Sequence, residues 1–121
     1  MTVRILVADD SYSSRKSIIS HLPRTLHFDV TEAANSQETV TLLNIAEFEL
    51  LLLNLTTSQV DNAIVLNAVA HALCHPKIVV SYSGFQPAQA FDHVNVAAVT
   101  FIQLPLDKQK IEGMLADLGF L

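Results

Sequence analysis

Two short apolar runs, each closed by a polar residue, constrain the fold of this chain most. Val3 to Ala8 ends on Asp9-Asp10, and Leu50-Leu51-Leu52-Leu53 ends on Asn54. A strand buried on both faces reads as a continuous apolar run, and such burial belongs to parallel sheets covered by helices. Open parallel sheets place their sites at the carboxyl ends of the strands. The two runs therefore predict central strands of one sheet. They also predict an edge at which two carboxylates and one carboxamide meet.

The rest of the chain alternates short apolar runs with amphipathic stretches, as repeated βα units do. A first helix is expected from about Ser13 to Leu22, with Ile18 and Leu22 on one face and Pro23 as its stop. Phe28 to Ala33 reads as the second strand. Ser36 then reads as an N-cap, with Glu38 in the first turn and Val40 and Leu43 facing inward. The third strand is expected over Glu49 to Leu55. The third helix follows over Val60 to Leu73, with Ile64, Val65, Ala68, Val69 and Ala72 on its apolar face. Lys77 to Tyr82 reads as the fourth strand, Pro87 to Val94 as a fourth helix, and Val99 to Leu104 as the fifth strand. Asp107 caps a last helix carrying Ile111, Met114, Leu115 and Leu118, with Gly119 near its end. Five βα units with short right-handed crossovers give a three-layer α/β/α sandwich. Its parallel sheet has the order 2-1-3-4-5. The switch point of that order lies between strands 1 and 3, which end on Asp9-Asp10 and Asn54.

Composition sets the outer bounds. The 121 residues fit one domain, and 50% are hydrophobic, enough for a packed core rather than disorder. No apolar stretch reaches membrane-spanning length, and no signal-peptide pattern opens the chain, so cytoplasmic location is the expectation. A formal net charge of −5 with no Lys/Arg cluster argues against nucleic-acid binding. The lone Cys74 reads as a small hydrophobe. His71 and His75 are four apart, a spacing that helical metal sites use. No third ligand accompanies them, and they read as surface positions. No glycine-rich phosphate loop or nucleophile elbow is present.

Taken in order, the segments ILVADDSYSSRKSI, TEAANSQETVTLL, FELLLLNLTTSQVDNAIVLNAV, PKIVVSYSG and FIQLPLD resemble the receiver domain of two-component response regulators. The resemblance covers the whole chain and implies the flavodoxin-like version of the fold above. It implies that Asp9 and Asp10 are the acidic pair, Ser81 the switch hydroxyl and Phe101 the aromatic switch residue. The departures carry more information. The family's phosphoacceptor aspartate falls on Asn54, and its lysine before proline falls on Leu104. The loop proline falls on Ser58, and the glycine opening the third helix falls on Asn62.

Each position has a chemical reading. A phosphoryl group needs an anionic oxygen to attack it, and the lone pair of an amide nitrogen is delocalised into its carbonyl. Asn54 is therefore expected not to accept phosphate but to hydrogen-bond at a strand end. The resemblance implies magnesium held by the acidic pair, the acceptor and the carbonyl of Thr56. With Asn54 in place of a carboxylate, such a site (Asp9, Asp10, Thr56) is expected to be weak or absent. Asp9 and Asp10 read equally well as solvated or helix-capping groups. Leu104 complements Asn54, since a lysine there loses its main counter-ion. Ser81 also reads as a plain strand-end polar residue, and Phe101 as a plain packed aromatic. Phe85, Phe91, Ile102 and Leu106 lie on or beside the fourth helix and fifth strand. In the family the face of the fourth helix, fifth strand and last helix meets protein partners.

The expected function is an atypical receiver acting in two-component signalling through protein contacts, with no enzymatic activity and no required cofactor. A homodimer through the same face is a further expectation. Two alternatives stand beside it. One is phosphorylation of a substitute residue, Asp10 or Asp61. The other is a small-molecule sensor on the same fold, which a sizeable pocket at the switch point would favour.

Overall fold

The computed structural model describes residues 2–24, 27–54, 59–71, 76–82 and 99–121, with the side chains of residues 59–63 excepted. Five strands form a parallel sheet: β1 (Thr2–Asp9), β2 (His27–Ala33), β3 (Leu50–Asn54), β4 (Lys77–Tyr82) and β5 (Val99–Gln103). Its order is β2-β1-β3-β4-β5, as the sequence predicts. Four described helices accompany it: α1 (Tyr12–Ser20), α2 (Ser36–Ile45), α3 (Gln59–Ala70) and α4 (Lys108–Asp117). The expected helix over Pro87 to Val94 lies outside the described residues, as do Cys74 and His75.

Alternation along the strands divides the apolar side chains between two cores. Leu6, Ala8, Leu51, Leu53, Ile78 and Val80 pack with α2 and α3 residues on one face. Val3, Ile5, Val7, Leu50, Leu52 and Val79 pack with Ile18 of α1 and Ile111, Met114 and Leu115 of α4 on the other. Both faces of β1 and β3 are thereby dry, which is why those strands read as unbroken apolar runs. The same alternation decides the site. Leu50, Leu52 and Asn54 share one side of β3, so Asn54 points toward the α1 and α4 layer.

The helix ends follow local chemistry. Ser11 caps α1, its hydroxyl accepting from the Ser14 N–H. Asp107 caps α4 as expected, accepting from the Lys110 N–H at 2.8 Å. For α2 the expectation is corrected by one residue: Asn35, not Ser36, is the N-cap, accepting from the Glu38 N–H at 2.8 Å. Asn and Ser cap about equally well, so adjacent candidates are not separated by propensity. At the end of α4, Phe120 N–H donates to Leu115 O and Gly119 N–H to Ala116 O. This is a Schellman closure, and it requires the left-handed φ of +88° found at Gly119.

The apolar face of α3 also differs from expectation. Val65, Leu66 and Val69 are buried, whereas Ile64 is 49% exposed. Three residues at i, i+1 and i+4 define a stripe that leaves Ile64 off its edge. Strand β5 ends at Gln103, one residue earlier than expected. The Leu104 N–H still donates to Tyr82 O at 2.7 Å, and Pro105 has no N–H to continue the ladder.

Candidate functional site at the carboxyl edge of the sheet

Parallel pairing of β1 with β3 places Asp9 directly beside Asn54. Both are buried, at 1% and 5% exposure. A buried carboxylate needs hydrogen-bond donors, and here every identified donor is a neutral group of the protein. The Ser11 N–H donates to Asp9 Oδ1 at 2.8 Å. The Ser14 hydroxyl donates to Asp9 Oδ2 at 2.6 Å. The Asn54 amide Nδ2 donates to the same oxygen at 3.2 Å and lies 3.3 Å from Ser14 Oγ. The amide orientation follows from the partner, since a carboxylate oxygen accepts and cannot donate.

The turn joining β1 to α1 makes this arrangement. Asp9 is the last residue of β1, and α1 begins at Tyr12, so the first turn of α1 stands over the strand end. Ser14 then reaches back to Asp9, five positions earlier. Arg15, one residue further, donates from Nη1 to the Asp9 carbonyl at 2.7 Å. Its Nε also pairs with Glu32 Oε1 at 2.9 Å. Lys16 Nζ takes the other Glu32 oxygen at 2.8 Å. The hydrogen bonds from Lys16 and then Arg15 hold the Glu32 carboxyl below the usual glutamate range.

The arrangement bears directly on metal chemistry. Magnesium takes oxygen ligands in a near-octahedral shell. Between Asp9 and position 54 the protein presents an N–H donor, and Asp9 Oδ2 already accepts from two groups. This donor set does not fit a hard dication at the Asp9–Asn54 junction. Thr56, the expected third ligand, lies outside the described residues. Among the described residues no cluster of three or more His, Cys, Asp or Glu side chains is placed to hold a metal ion.

The remaining predicted residues fall in different places. Asp10 follows β1 at a half-buried position. Ser81 is the penultimate residue of β4, and its hydroxyl lies 3.5 Å from Leu53 O, the outer limit of a hydrogen bond. Phe101 is half-buried and packs against the α2 and α3 core. It meets Tyr82 edge to face, with centroids 6.5 Å apart and planes at 72°. Ile102 and Leu106 are half-buried against the opposite core. Leu104 is half-buried at the strand exit. Phe85 and Phe91 lie outside the described residues, as does the side chain of Asp61. His71 is exposed, with its ring nitrogen 2.9 Å from Asn67 O.

An apolar cleft opens next to the site. Ile18, Leu52, Val79, Ile102, Leu106 and Met114 line it, with Asn54 and Ser81 at its polar end. Its non-atom volume, including open solvent, is about 290 Å³, but the room for a water centre is only about 10 Å³. That is the threshold for a single water, far below a drug-sized ligand site.

Sequence reasoning missed Ser11, Ser14 and Arg15. The available signal was their distance along the chain from Asp9, because a helix that starts directly after a strand lays its first turn over the strand end.

No family model and no curated protein sequence matches the chain. Solved structures do match it in fold. The chemotaxis protein CheY4 of Vibrio cholerae superposes with a TM-score of 0.78 at 18% identity, covering 97% of this chain and 98% of that one. The REC domain of AraT, a response regulator from Geobacillus stearothermophilus, gives 0.76 at 18% identity, covering 98% and 93%. A two-component transcriptional regulator AraC from Clostridium phytofermentans gives 0.70 at 18% identity, covering 97% and 98%. The chain thus has the fold of these proteins over nearly its full length.

Proposed function

We propose that the chain is a receiver-type signalling domain that works by protein–protein contact, without phosphorylation at position 54. The fold shared with a chemotaxis protein and two response regulators supports the receiver reading. The observation that carries the rest is the Asn54 amide donating to Asp9 at 3.2 Å. In this reading the amide takes the place that a divalent cation takes between two carboxylates. It joins β3 to β1 and α1 by neutral hydrogen bonds and leaves no anionic oxygen to attack phosphorus. Magnesium is then bound weakly or not at all, and the domain catalyses nothing on its own.

The partner is a protein of a signalling pathway in the cytoplasm. It docks on the face of β5 and α4, near the half-buried Ile102 and Leu106; Phe85 and Phe91, expected to contribute to the same interface, lie outside the described residues. A homodimer through that face is part of the same proposal. Among the described residues, the cleft beside Asn54 has room for about one water and lends no support to a small-molecule sensor.

The test is intact-mass measurement after incubation with magnesium and a small acyl-phosphate donor, followed by peptide mapping. The expected result is an unchanged mass. A stable phosphoryl adduct overturns the proposal, and an adduct mapped to Asp10 or Asp61 selects a substitute acceptor.

A further inference from the structure

The turn from β5 into α4, Leu104 to Asp107, supplies one wall of the apolar cleft beside Asn54. Its Leu106 lines the cleft with Ile102, Ile111 and Met114, and Asn54 and Ser81 sit at the polar end. From inside, the turn is held by Leu106, half-buried against the core that contains Ile111, Met114 and Leu115. From outside it is held by a charge. Lys110 lies in the first turn of α4, and its side chain is exposed. Its ammonium reaches back to donate to Pro105 O at 3.0 Å and to Gln103 O at 3.1 Å. Those two carbonyls flank Leu104, whose own N–H donates to Tyr82 O at 2.7 Å. Pro105 brings no donor of its own. The Lys110 N–H is fixed by the Asp107 cap at 2.8 Å, so the backbone of Lys110 is anchored while its stem spans the turn.

We propose that Lys110 is a latch on this turn: its ammonium sets how often the turn lifts from the cleft and uncovers Asn54. The lysine expected before the proline falls on Leu104, so no ammonium from that position joins the strand exit to residue 54. Lys110 places an ammonium on the same exit from the solvent side, and this tie does not depend on phosphate. Two kinds of contact meet here. Helix α4 is held to the sheet by Ile111, Met114 and Leu115, all buried. The turn is held by one half-buried leucine and by hydrogen bonds that water can replace, with Gln103, Pro105 and Asp107 exposed. Segments with few buried apolar contacts and exposed hydrogen bonds open locally, at less cost than global unfolding. Such an opening moves Leu106 while α4 stays seated. The ammonium opposes it, because both of its bonds break when the Gln103 and Pro105 carbonyls draw away from α4. The consequence for docking rests on the reading given under Proposed function: the closed turn fixes β5 relative to α4 within the docking face. The latch itself does not rest on it.

Native-state hydrogen exchange, followed by NMR on the intact chain, tests the latch. Wild type is compared with Lys110→Met, which keeps the stem without the ammonium, and with Lys110→Arg, which keeps a charged donor. In Lys110→Met, exchange at the Leu104 N–H and at the Asn54 side-chain amide should speed up about tenfold, as expected for the loss of charge-assisted bonds. The Phe120 N–H at the far end of α4 and the amides of β1 should keep their wild-type rates. Lys110→Arg should retain most of the protection. Equal exchange at Leu104 in wild type and Lys110→Met overturns the proposal. So does equal acceleration at Leu104, Phe120 and β1, which marks a loss of global stability rather than a local opening. Faster exchange at Leu104 with the Asn54 side chain still protected also overturns it, because the turn then moves without uncovering the site. A stable phosphoryl adduct in the mass experiment overturns the reading of position 54 instead and leaves the exchange result standing.

Discussion

Replacing Asn54 by Asp changes one atom type at a buried polar junction. The donor 3.2 Å from Asp9 Oδ2 becomes a carboxylate oxygen. Two unit charges at that separation repel by about 5 kcal/mol at an effective dielectric of about 20. The pair can escape by protonating one member. At neutral pH this costs about 4 kcal/mol from an ordinary aspartate pKa of about 3.9. The penalty is therefore capped near 4 kcal/mol, and side-chain relaxation leaves about 2 to 3 kcal/mol. At about 4 °C per kcal/mol for a domain of this size, Asn54→Asp should melt about 10 °C lower without metal. The sign with pH follows. Mutual repulsion raises a carboxyl pKa in the folded state, so the deficit is largest at neutral pH and shrinks on acidification. Millimolar magnesium, which satisfies two carboxylates at once, should restore most of the loss in the variant and leave the wild type unchanged. Thermal melts of both proteins with and without magnesium supply the data. Equal melting temperatures, or equal responses to magnesium, refute the reasoning.

Three smaller perturbations test the surrounding structure. Ser14→Ala removes the 2.6 Å bond to a buried carboxylate and should cost about 1.5 kcal/mol by chemical denaturation; no change in midpoint contradicts the assignment. Glu32 has a depressed folded-state pKa, with Lys16 and then Arg15 as the cause. Its contribution, under about 1 kcal/mol for a partly exposed pair, is present above the ordinary glutamate range and lost as pH falls through the folded-state value. The melting difference between wild type and Glu32→Gln should accordingly close in acid. Gly119→Ala should cost about 1 kcal/mol, because φ is +88° there. The nearest atom to an added Cβ is Lys77 Nζ at 3.7 Å, so the loss comes from backbone strain rather than a clash.

Much of the fold was legible because burial on both faces leaves a mark in the chain itself. Leu50 to Leu53 is a continuous apolar run closed by Asn54, which reads as a short strand buried on both faces. Asp9 and Asn54 were legible for the same reason, as polar residues ending two dry strands. Ser14 was not, because its role depends on where a helix turn lands in space, and its sequence context is an ordinary run of serines. Asn35 and Ser36 show the same limit at one residue: either can cap, and backbone geometry chooses. Ile64 was assigned inward because the apolar stretch of α3 is wider than the stripe its neighbours can cover. The direction of the Asn54 amide needed the acceptor Asp9 beside it, which only the strand register supplies.

The central claim is that the Asp9–Ser14–Asn54 junction is closed by the protein's own donors and has no use for metal or phosphate. Amide NMR spectra of the wild type, recorded alone and then with magnesium and an acyl-phosphate donor, test it most directly. The claim predicts superimposable spectra, with the Asn54 side-chain amide unshifted. Specific shifts at Asp9, Asn54 and Ser81 on addition of magnesium or donor would contradict it.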